Sequence, residues 1–304
     1  MYMKKLYLNK ENYLYFDGIQ DMVEHLKDAP LAYGKRDYST ERKSEGRDSF
    51  YGGVSYPEAL DLLEHGDEKT AKQIREIKDS RMETTRMLQR FVNNVHGFIP
   101  HVPNAIMGIP KSMIDIKRNR VNGNNKIIDL VLDADAACNV SASDYRKAAR
   151  TFLDIVDSLE KQGYRLTLYY AINTIFDTDV KVCWLMKLKD ATEPFNKHKC
   201  AFPLGHVSMF RRIGFRLIET LDSGAATKDV PDGYGRPNRN RLSCQKMIQS
   251  TLYSLNGTQP KNLKIFDIKD YVNKTTDEIL DEVLDGNYCN ELSREDKDRV
   301  KGGN

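Results

Sequence analysis

The sequence predicts an α/β protein, in which an open sheet is flanked by helices and preceded by a mostly helical N-terminal region. Three observations favour this fold. The apolar run at residues 127–132 is typical of a buried strand and ends in Asp133 and Asp135. A helical pattern and a second apolar run follow by residue 171, close enough for a right-handed βαβ crossover. The alternation of helical and strand patterns then continues to residue 268.

Composition supports a globular protein without a strong charge bias. The chain has 304 residues, of which 40% are hydrophobic and 9% aromatic, so it can bury a core of one large domain or two ordinary ones. The 47 basic residues nearly balance the 44 acidic ones, which leaves a formal charge of +3. Composition therefore does not argue for a nucleic-acid-binding protein, and local basic patches must carry any such argument.

The cysteines indicate a reducing compartment. They are odd in number and none forms a Cys-x-x-Cys pair, which argues against a disulfide framework and against a zinc site. Their positions are Cys138, Cys183, Cys200, Cys244 and Cys289. No window approaches the ~20 apolar residues that span a bilayer. We therefore expect a soluble protein of the cytoplasm with no membrane partner.

Two helices are predicted early in the chain. Apolar spacing at residues 19–26 is that of an amphipathic helix. The second helix has a clear start and stop, because Ser55 can cap it, Pro57 occupies the first turn and Gly66 can end it. A helical stripe with basic residues on its other face then continues through residues 67–92.

Breaks in these patterns suggest a division into three regions. Proline and glycine interrupt any long element between residues 97 and 125, a segment with a local basic excess that we interpret as a connector into the central strand. Residues 1–110 are predicted as a mostly helical N-terminal region with a charged loop. Residues 111–275 are predicted as the α/β domain. Residues 276–304 are predicted as a C-terminal helix and charged tail.

The remaining elements of the α/β domain follow from periodicity. The first helix has a cap from Ser141 with Asp144, or from Ser143 alone. The predicted elements are a helix at 145–162, strands at 164–171 and 180–188, a helix opening at 201–206, a helix at 242–255 and a strand at 262–268. The strand at 180–188 alternates polar and apolar residues, as an outer strand would. Its Trp184 is expected to pack in the core.

Two enzyme classes place paired aspartates after a strand. A haloacid-dehalogenase-type phosphatase would use Asp133 as nucleophile and Asp135 as general acid, but it usually has Thr or Val where Ala137 stands. A sugar transferase would use both aspartates to hold a metal on a nucleotide diphosphate. No nucleotide-binding segment precedes the strand, so this match rests on a short and common pattern.

A third class covers more of the chain. The order of elements from residue 126 to residue 267 resembles a von Willebrand factor A domain, a Rossmann-type sheet flanked by helices. Asp133 matches the first position of the Asp-x-Ser-x-Ser motif of that family, while Asp135 and Ala137 replace the two serines. The resemblance implies a Mg²⁺ site whose ligands here would be Asp133, Asp135, Thr227 and Asp267.

The departure at Ala137 weakens this metal site. The two serine hydroxyls of the family complete an oxygen shell around Mg²⁺, and Ala137 has no oxygen to offer. Ser141 and Ser143 would substitute only if the loop folded back. We therefore expect no cofactor, with Mg²⁺ at a degenerate site as the alternative.

A second resemblance concerns origin. The runs at residues 50–59, 159–165 and 209–215 look like uncharacterised proteins encoded by bacteriophages. This resemblance implies a source, and with it a location in the host cytoplasm. It does not imply a mechanism.

Basic residues in and near the long loop at 222–241 are candidates for contact with a partner. The stretch at 233–241 combines glycine, an aromatic residue and positive charge, which suits phosphate or an acidic protein surface. His206 stands at a predicted helix start, where free backbone donors favour anions. The candidate partner-binding residues are Tyr234, Arg236, Arg239, Arg241, Arg211, Arg212 and His206.

Three functions remain open from the sequence. No catalytic triad, Cys-His pair, phosphate-binding Gly-Lys-Ser/Thr or metalloprotease motif is present. The leading hypothesis is a non-enzymatic protein that binds another macromolecule, such as a host factor or an assembly partner, through loops around the Asp133/Asp135 edge. The alternatives are a metal-dependent enzyme on a phosphate or nucleotide substrate, and a nucleic-acid-binding protein.

Overall fold

The structure, a computed structural model, divides the chain into two compact units. The larger unit comprises Met1–Ile77 and Lys126–Asn304, and the smaller unit, Lys78–Asn125, lies between these stretches in sequence. The first 77 residues therefore share a unit with the α/β elements, which differs from the predicted division at residue 110. The residues described are 3–8, 10–32, 37–40, 48–76, 90–117, 127–136, 140–161, 164–176, 179–221, 234–257, 260, 262–268 and 274–279.

The larger unit is built around a mixed, mostly parallel sheet. In chain order the strands of this sheet are β1 (Lys4–Leu8), β2 (Glu11–Phe16), β6 (Ile127–Asp133), β7 (Arg165–Ile175), β8 (Lys181–Lys189), β9 (Arg236–Pro237) and β10 (Leu263–Asp267). The strands β3 (Arg90–Asn94), β4 (Ile99–Pro100) and β5 (Met113–Lys117) belong to the smaller unit. The sheet order is β1-β2-β8-β7-β6-β10, and β9 pairs with β7. Pairing is parallel for β2 with β8, β7 with β6 and β6 with β10, and antiparallel for the other pairs.

Helices cover both faces of this sheet. The helices of the larger unit are α1 (Ile19–Asp28), α2 (Asp48–Tyr51), α3 (Tyr56–His65), α4 (Glu68–Glu76), α6 (Ala142–Lys161), α7 (Lys197–Gly205), a π-helical segment (Met209–Gly214), α8 (Phe215–Glu219) and α9 (Arg241–Leu255). The smaller unit contains α5 (Val102–Ile106). α9 packs on one face, while α1, α3, α4, α6, α7 and the π-helical segment pack on the other. Within the described residues, no helix is long and apolar enough to cross a membrane.

The predicted βαβ unit is confirmed. β6 and β7 are parallel neighbours, and α6 connects them with Ala148, Phe152 and Leu159 fully buried against the sheet. The helix start at Ser55 is confirmed as well, because its side chain and that of Glu58 form a reciprocal capping box. Local signals therefore correctly specified these two helices.

Two predictions about the sheet are wrong. The strand at 180–188 was expected at the outside of the sheet, but β8 lies inside it, between β7 and β2. The N-terminal region was expected to precede the sheet, but its strands β1 and β2 belong to the central sheet, and Tyr13, Tyr15 and Phe16 of β2 are fully buried. These two errors share one cause. β2 was not recognised as a strand of the sheet, and it is β2 that pairs with the edge of β8 and makes β8 an inner strand.

The smaller unit has its own fold. β3, β5 and β4 form an antiparallel sheet in that order. The short helix α5 follows β4, and the ring of His101 caps it by accepting a hydrogen bond from the Asn104 amide. This segment is therefore more than the connector that the sequence predicted. The predicted helical stripe at 67–92 is confirmed only as α4, because β3 begins at Arg90 and residues 77–89 lie outside the described part of the chain.

One acidic side chain of β6 is buried on the face that α9 covers. Asp129 lies opposite Thr167 of β7, and its side chain is 8% exposed. Burial raises the pKa of this carboxyl group, and a hydrogen bond from Thr167 opposes only part of the rise. The folded state therefore holds the Asp129 proton more tightly than the unfolded state does.

We expect Asp129→Asn to stabilise the protein at neutral pH. A carboxyl group whose pKa is raised on folding contributes stability at low pH and loses it as the pH rises through the folded-state pKa. Asparagine keeps an acceptor for Thr167 without the buried charge. Thermal unfolding at a series of pH values should show a gain over the natural protein at pH 7 that shrinks toward pH 4. A gain that is independent of pH would contradict this explanation.

Candidate functional site

The carboxyl ends of β6 and β10 bring two aspartates side by side. The parallel register aligns Asp133 with Asp267, and Asp133 faces Ala171 of β7 on its other side. Asp135 follows two residues after β6. Three of the four predicted metal-site residues thus lie at one edge of the sheet. The fourth, Thr227, lies outside the described residues, as does Ala137.

β7 extends beyond the end of β6, and residues on this extension form hydrogen bonds with Asp133 and Asp135. Asp133 pairs with Ala171, whereas β7 continues to Ile175. On this extension the Asn173 amide donates to Asp133 Oδ2 at 2.7 Å, and the Thr174 hydroxyl donates to Asp135 Oδ2 at 2.8 Å. Both carboxylates are nearly buried, with 8% and 6% of their surface exposed. Hydrogen bonds to the ionised form compensate part of the cost of burying these charges.

The turn between the two aspartates is fixed by its backbone. The Ala134 amide donates to the Ala171 carbonyl at 2.9 Å, and the Tyr145 hydroxyl of α6 donates to the Ala134 carbonyl at 3.0 Å. Complete burial raises the pKa of the Tyr145 phenol well above its ordinary value, so it remains a donor. β7 and α6 together fix the backbone of Ala134, and thereby the direction of the chain between the end of β6 and Asp135.

Sequence reasoning missed several members of this edge. Asn173, Thr174 and Tyr145 contact the aspartates or the turn between them, and Cys244 of α9 is near enough that Asp133 helps to raise its pKa, after the larger effect of burial. One signal was available for the first two. They are polar residues at the end of a buried strand, which is the same pattern that singled out Asp133.

The donors at this edge suit a hard cation, but they are not gathered into a metal centre. Carboxylate and amide oxygens are the ligands that Mg²⁺ prefers, and the buried Oδ1 of Asn173 has no hydrogen-bond partner among the described residues. However, no group of three His, Cys, Asp or Glu side chains in the described chain is arranged to hold a metal ion. Ser141 and Ser143 do not fill the gap, because their hydroxyls bond each other and Ser141 caps α6 with Asp144.

A second feature of this edge is the arginine loop, which we define as residues 234–241. Its first residue is firmly anchored. The ring of Tyr234 stacks on Phe215 with a centroid distance of 3.7 Å, and its hydroxyl donates to Glu219 at 2.5 Å. Glu219 also accepts from the amide and hydroxyl of Ser39. Burial and the Glu219 carboxylate raise the pKa of the Tyr234 phenol, so the donor persists at high pH.

The rest of the arginine loop is held against β7 and α9. β9 pairs with Thr174 and Ile175, and the Asn238 amide donates to the Asn173 carbonyl at 2.9 Å. The thiol of Cys244 donates to the Asn238 carbonyl, and the side chain of Asn240 caps α9. The loop displays three exposed arginines on this fixed backbone, namely Arg236, Arg239 and Arg241.

Arg211 and Arg212 are not on the surface, which corrects their prediction as partner-binding residues. Each is 1% exposed. Arg211 donates to the carbonyls of Phe50 and Val140, and Arg212 donates to those of Val54 and Ser39. Each guanidinium also lies over an aromatic ring. Both side chains therefore tie loops together inside the larger unit and lie outside the proposed binding surface.

His206 acts as a link between two helical segments. It is the C-cap of α7, its ring stacks on Phe202, and its Nδ1 accepts a hydrogen bond from the Ser208 amide. Burial lowers the pKa of its imidazole. A neutral imidazole that already accepts a hydrogen bond from a backbone amide acts as a cap and carries no positive charge for an anion. The predicted anion site at His206 therefore gains no support.

Tyr234→Phe tests whether the phenol anchors the arginine loop. The variant keeps the stack on Phe215 but removes the donor to Glu219, which leaves a buried carboxylate with one fewer hydrogen bond. We expect a loss of about 1–2 kcal/mol in the free energy of unfolding, together with faster hydrogen exchange at the Asn238 amide. As a control, Tyr253→Phe on α9 should leave that amide unchanged. Unaltered exchange at Asn238 in the Tyr234 variant would refute the anchoring role.

Comparison with known proteins identifies one family. No curated protein and no solved structure matches the chain. A family model described as a domain of unknown function, DUF7192, matches residues 5–283. The matched range includes the central sheet, the aspartates at its edge and the arginine loop. Since it spans most of the sequence, this chain belongs to the DUF7192 family.

Proposed function

We propose that this protein is a non-enzymatic binding protein that recognises an acidic surface of a protein partner through the arginine loop. The observation that carries the proposal is the fixed display of Arg236, Arg239 and Arg241. Their backbone is held by Tyr234 at one end, by β7 in the middle and by the cap of α9 at the other end. A preorganised loop loses little entropy when it binds, which favours recognition.

The chemistry of the loop suits carboxylates. A guanidinium presents a planar fork of donors that matches a carboxylate with two parallel hydrogen bonds. Three such groups lie on a short exposed stretch, while the chain as a whole has a formal charge of only +3. Such a local cluster fits an acidic patch on a protein better than the long phosphate track of a nucleic acid, which needs many distributed cations.

The fold around the loop supports a von Willebrand A-like reading of the larger unit. β6 and β10 are parallel neighbours that both end in aspartate, and β8 runs antiparallel to β7. Domains of that kind would place partner contacts on the loops at this edge. Together with the phage-like sequence runs, this reading makes a host factor or an assembly partner in the host cytoplasm the proposed class of partner.

A metal-dependent activity on a phosphate or nucleotide is the second candidate. The observation that favours it is the buried Oδ1 of Asn173 beside Asp133, which has no hydrogen-bond partner in the part of the chain that the structure describes. If a divalent cation binds, Asp133, Asp135 and Asp267 would hold it, and the cation would supply electrostatic stabilisation of a phosphate. The arginine loop would then bind the anionic substrate instead of a protein.

Reversing the charge of the loop should abolish partner capture. We expect the triple variant Arg236→Glu, Arg239→Glu, Arg241→Glu to bind its partner at least roughly 100-fold more weakly, because each lost guanidinium removes charged hydrogen bonds. Affinity capture from host lysate, with proteins quantified by mass spectrometry, measures the loss. The matched control is Lys69→Glu, Lys161→Glu, Lys199→Glu, which reverses three exposed charges on other elements.

The same experiment separates the partner classes. A protein captured by the natural chain and the control, but not by the loop variant, supports the proposal. Capture that disappears when the lysate is treated with nuclease, and that falls steeply with salt, would replace it with nucleic-acid binding. Equal capture by the loop variant and the control would exclude the arginine loop as the binding surface.

Titration calorimetry tests the metal candidate directly. Binding of Mg²⁺ or Mn²⁺ at the edge predicts heat that is lost in Asp267→Asn and Asp133→Ala, because these variants remove charged oxygen ligands. The control is Asp61→Asn on α3, an exposed carboxylate beside His65. Absence of heat with the natural chain, or heat that survives in both edge variants, would remove this candidate.

A further inference from the structure

The smaller unit carries a run of exposed apolar residues, which we call the apolar patch and define as residues 95–109. Seven large hydrophobic side chains within it are exposed, most of them by half or more. They are Val95 (53%), Phe98 (54%), Ile99 (49%), Val102 (57%), Ile106 (81%), Met107 (65%) and Ile109 (40%). By contrast, the exposed large hydrophobic residues in the described part of the larger unit are only Leu31, Ile127 and Leu242.

The composition of the apolar patch is equally unusual for a surface. Residues 95–110 include no Asp, Glu, Lys or Arg, although 30% of the whole chain is charged. Charged side chains are what normally keep exposed segments solvated, and they are depleted at the cores of interfaces. The patch therefore has the composition of a surface that is covered in the working protein.

The size of the apolar patch fits one half of a dimer. The exposed fractions of these seven residues correspond to roughly 700 Å² of accessible surface, main-chain atoms included. This area is of the order of the ~800 Å² that each partner buries in an interface of standard size.

We propose that the apolar patch is the dimer interface of this protein and that its occupant is the same patch of a second copy. A two-fold interface brings a surface against itself, so it tolerates apolar residues but brings like charges together. The absence of formal charge across residues 95–110 removes that repulsion. Interfaces between identical chains are also more apolar than those between chains that exist separately, which agrees with this surface.

The sheet of the smaller unit indicates how two copies would associate. β3 and β4 are the outer strands of the β3-β5-β4 sheet, and β4 has only two residues. The patch therefore lies on turns and on α5 rather than on a long regular strand. Side-chain packing, and not strand addition, is the expected mode of association, which makes point substitutions an effective probe.

Analytical ultracentrifugation of the full chain tests the proposal. We expect the natural protein to sediment at twice the mass of the chain at micromolar concentration. The double variant Ile106→Lys, Met107→Lys should dissociate at least about 100-fold more readily, because it places charges in an apolar interface. Both side chains are largely exposed in the single chain, so the variant is expected to fold.

Leu242→Lys is the matched control, since Leu242 is 68% exposed but lies on α9 in the larger unit. It should sediment as the natural protein does. A natural protein that stays monomeric at about 100 µM, a concentration at which even weak specific dimers form, would overturn the proposal. A double variant that dimerises as tightly as the control would overturn it too. Neither outcome bears on the arginine loop, whose test is independent.

Discussion

The extension of β7 past the end of β6 is the constraint on which the candidate site depends. Four residues of β7, from Ile172 to Ile175, continue where β6 has already ended. Asn173 and Thr174 on this extension bind Asp133 and Asp135, and its last two residues, Thr174 and Ile175, pair with β9. One strand thus contacts both the acidic and the basic parts of the site.

Arginines in this protein have two contrasting roles, and burial separates them. Arg211 and Arg212 are enclosed and donate to backbone carbonyls of other segments of the larger unit, so their charge is used for cohesion. The arginines of the loop are exposed on a fixed backbone, and the proposed recognition of a partner uses this arrangement. Sequence composition counts all of them equally, whereas the structure distinguishes them by what surrounds each guanidinium.

Local elements could be predicted from the sequence, but long-range pairing could not. The capping residues of α3 and the apolar face of α6 are encoded within a few residues, and both were predicted. The burial of Arg211 was missed because all six residues of the π-helical segment are buried, so a helical pattern with one apolar and one polar face does not describe it. The role of Asn173 was missed because its partner Asp133 lies 40 residues earlier in the chain on the neighbouring strand, and no local pattern encodes that contact. The aspartates were found because an apolar run that ends in charged residues is a local pattern, and it marks the end of a buried strand.

The pairing of β2 with β8 has a consequence for how the protein is made. Tyr13 lies opposite Cys183 in the sheet, and the whole smaller unit is synthesised between them. At translation rates of about 5–20 residues per second, the ribosome needs roughly 10–30 s to proceed from β2 to β8. During this time β2, which has five of its six residues buried in the finished structure, lacks its parallel neighbour. The N-terminal hairpin is therefore the part of the nascent chain most in need of shielding, and folding of the central sheet can finish only after more than half of the protein has been made.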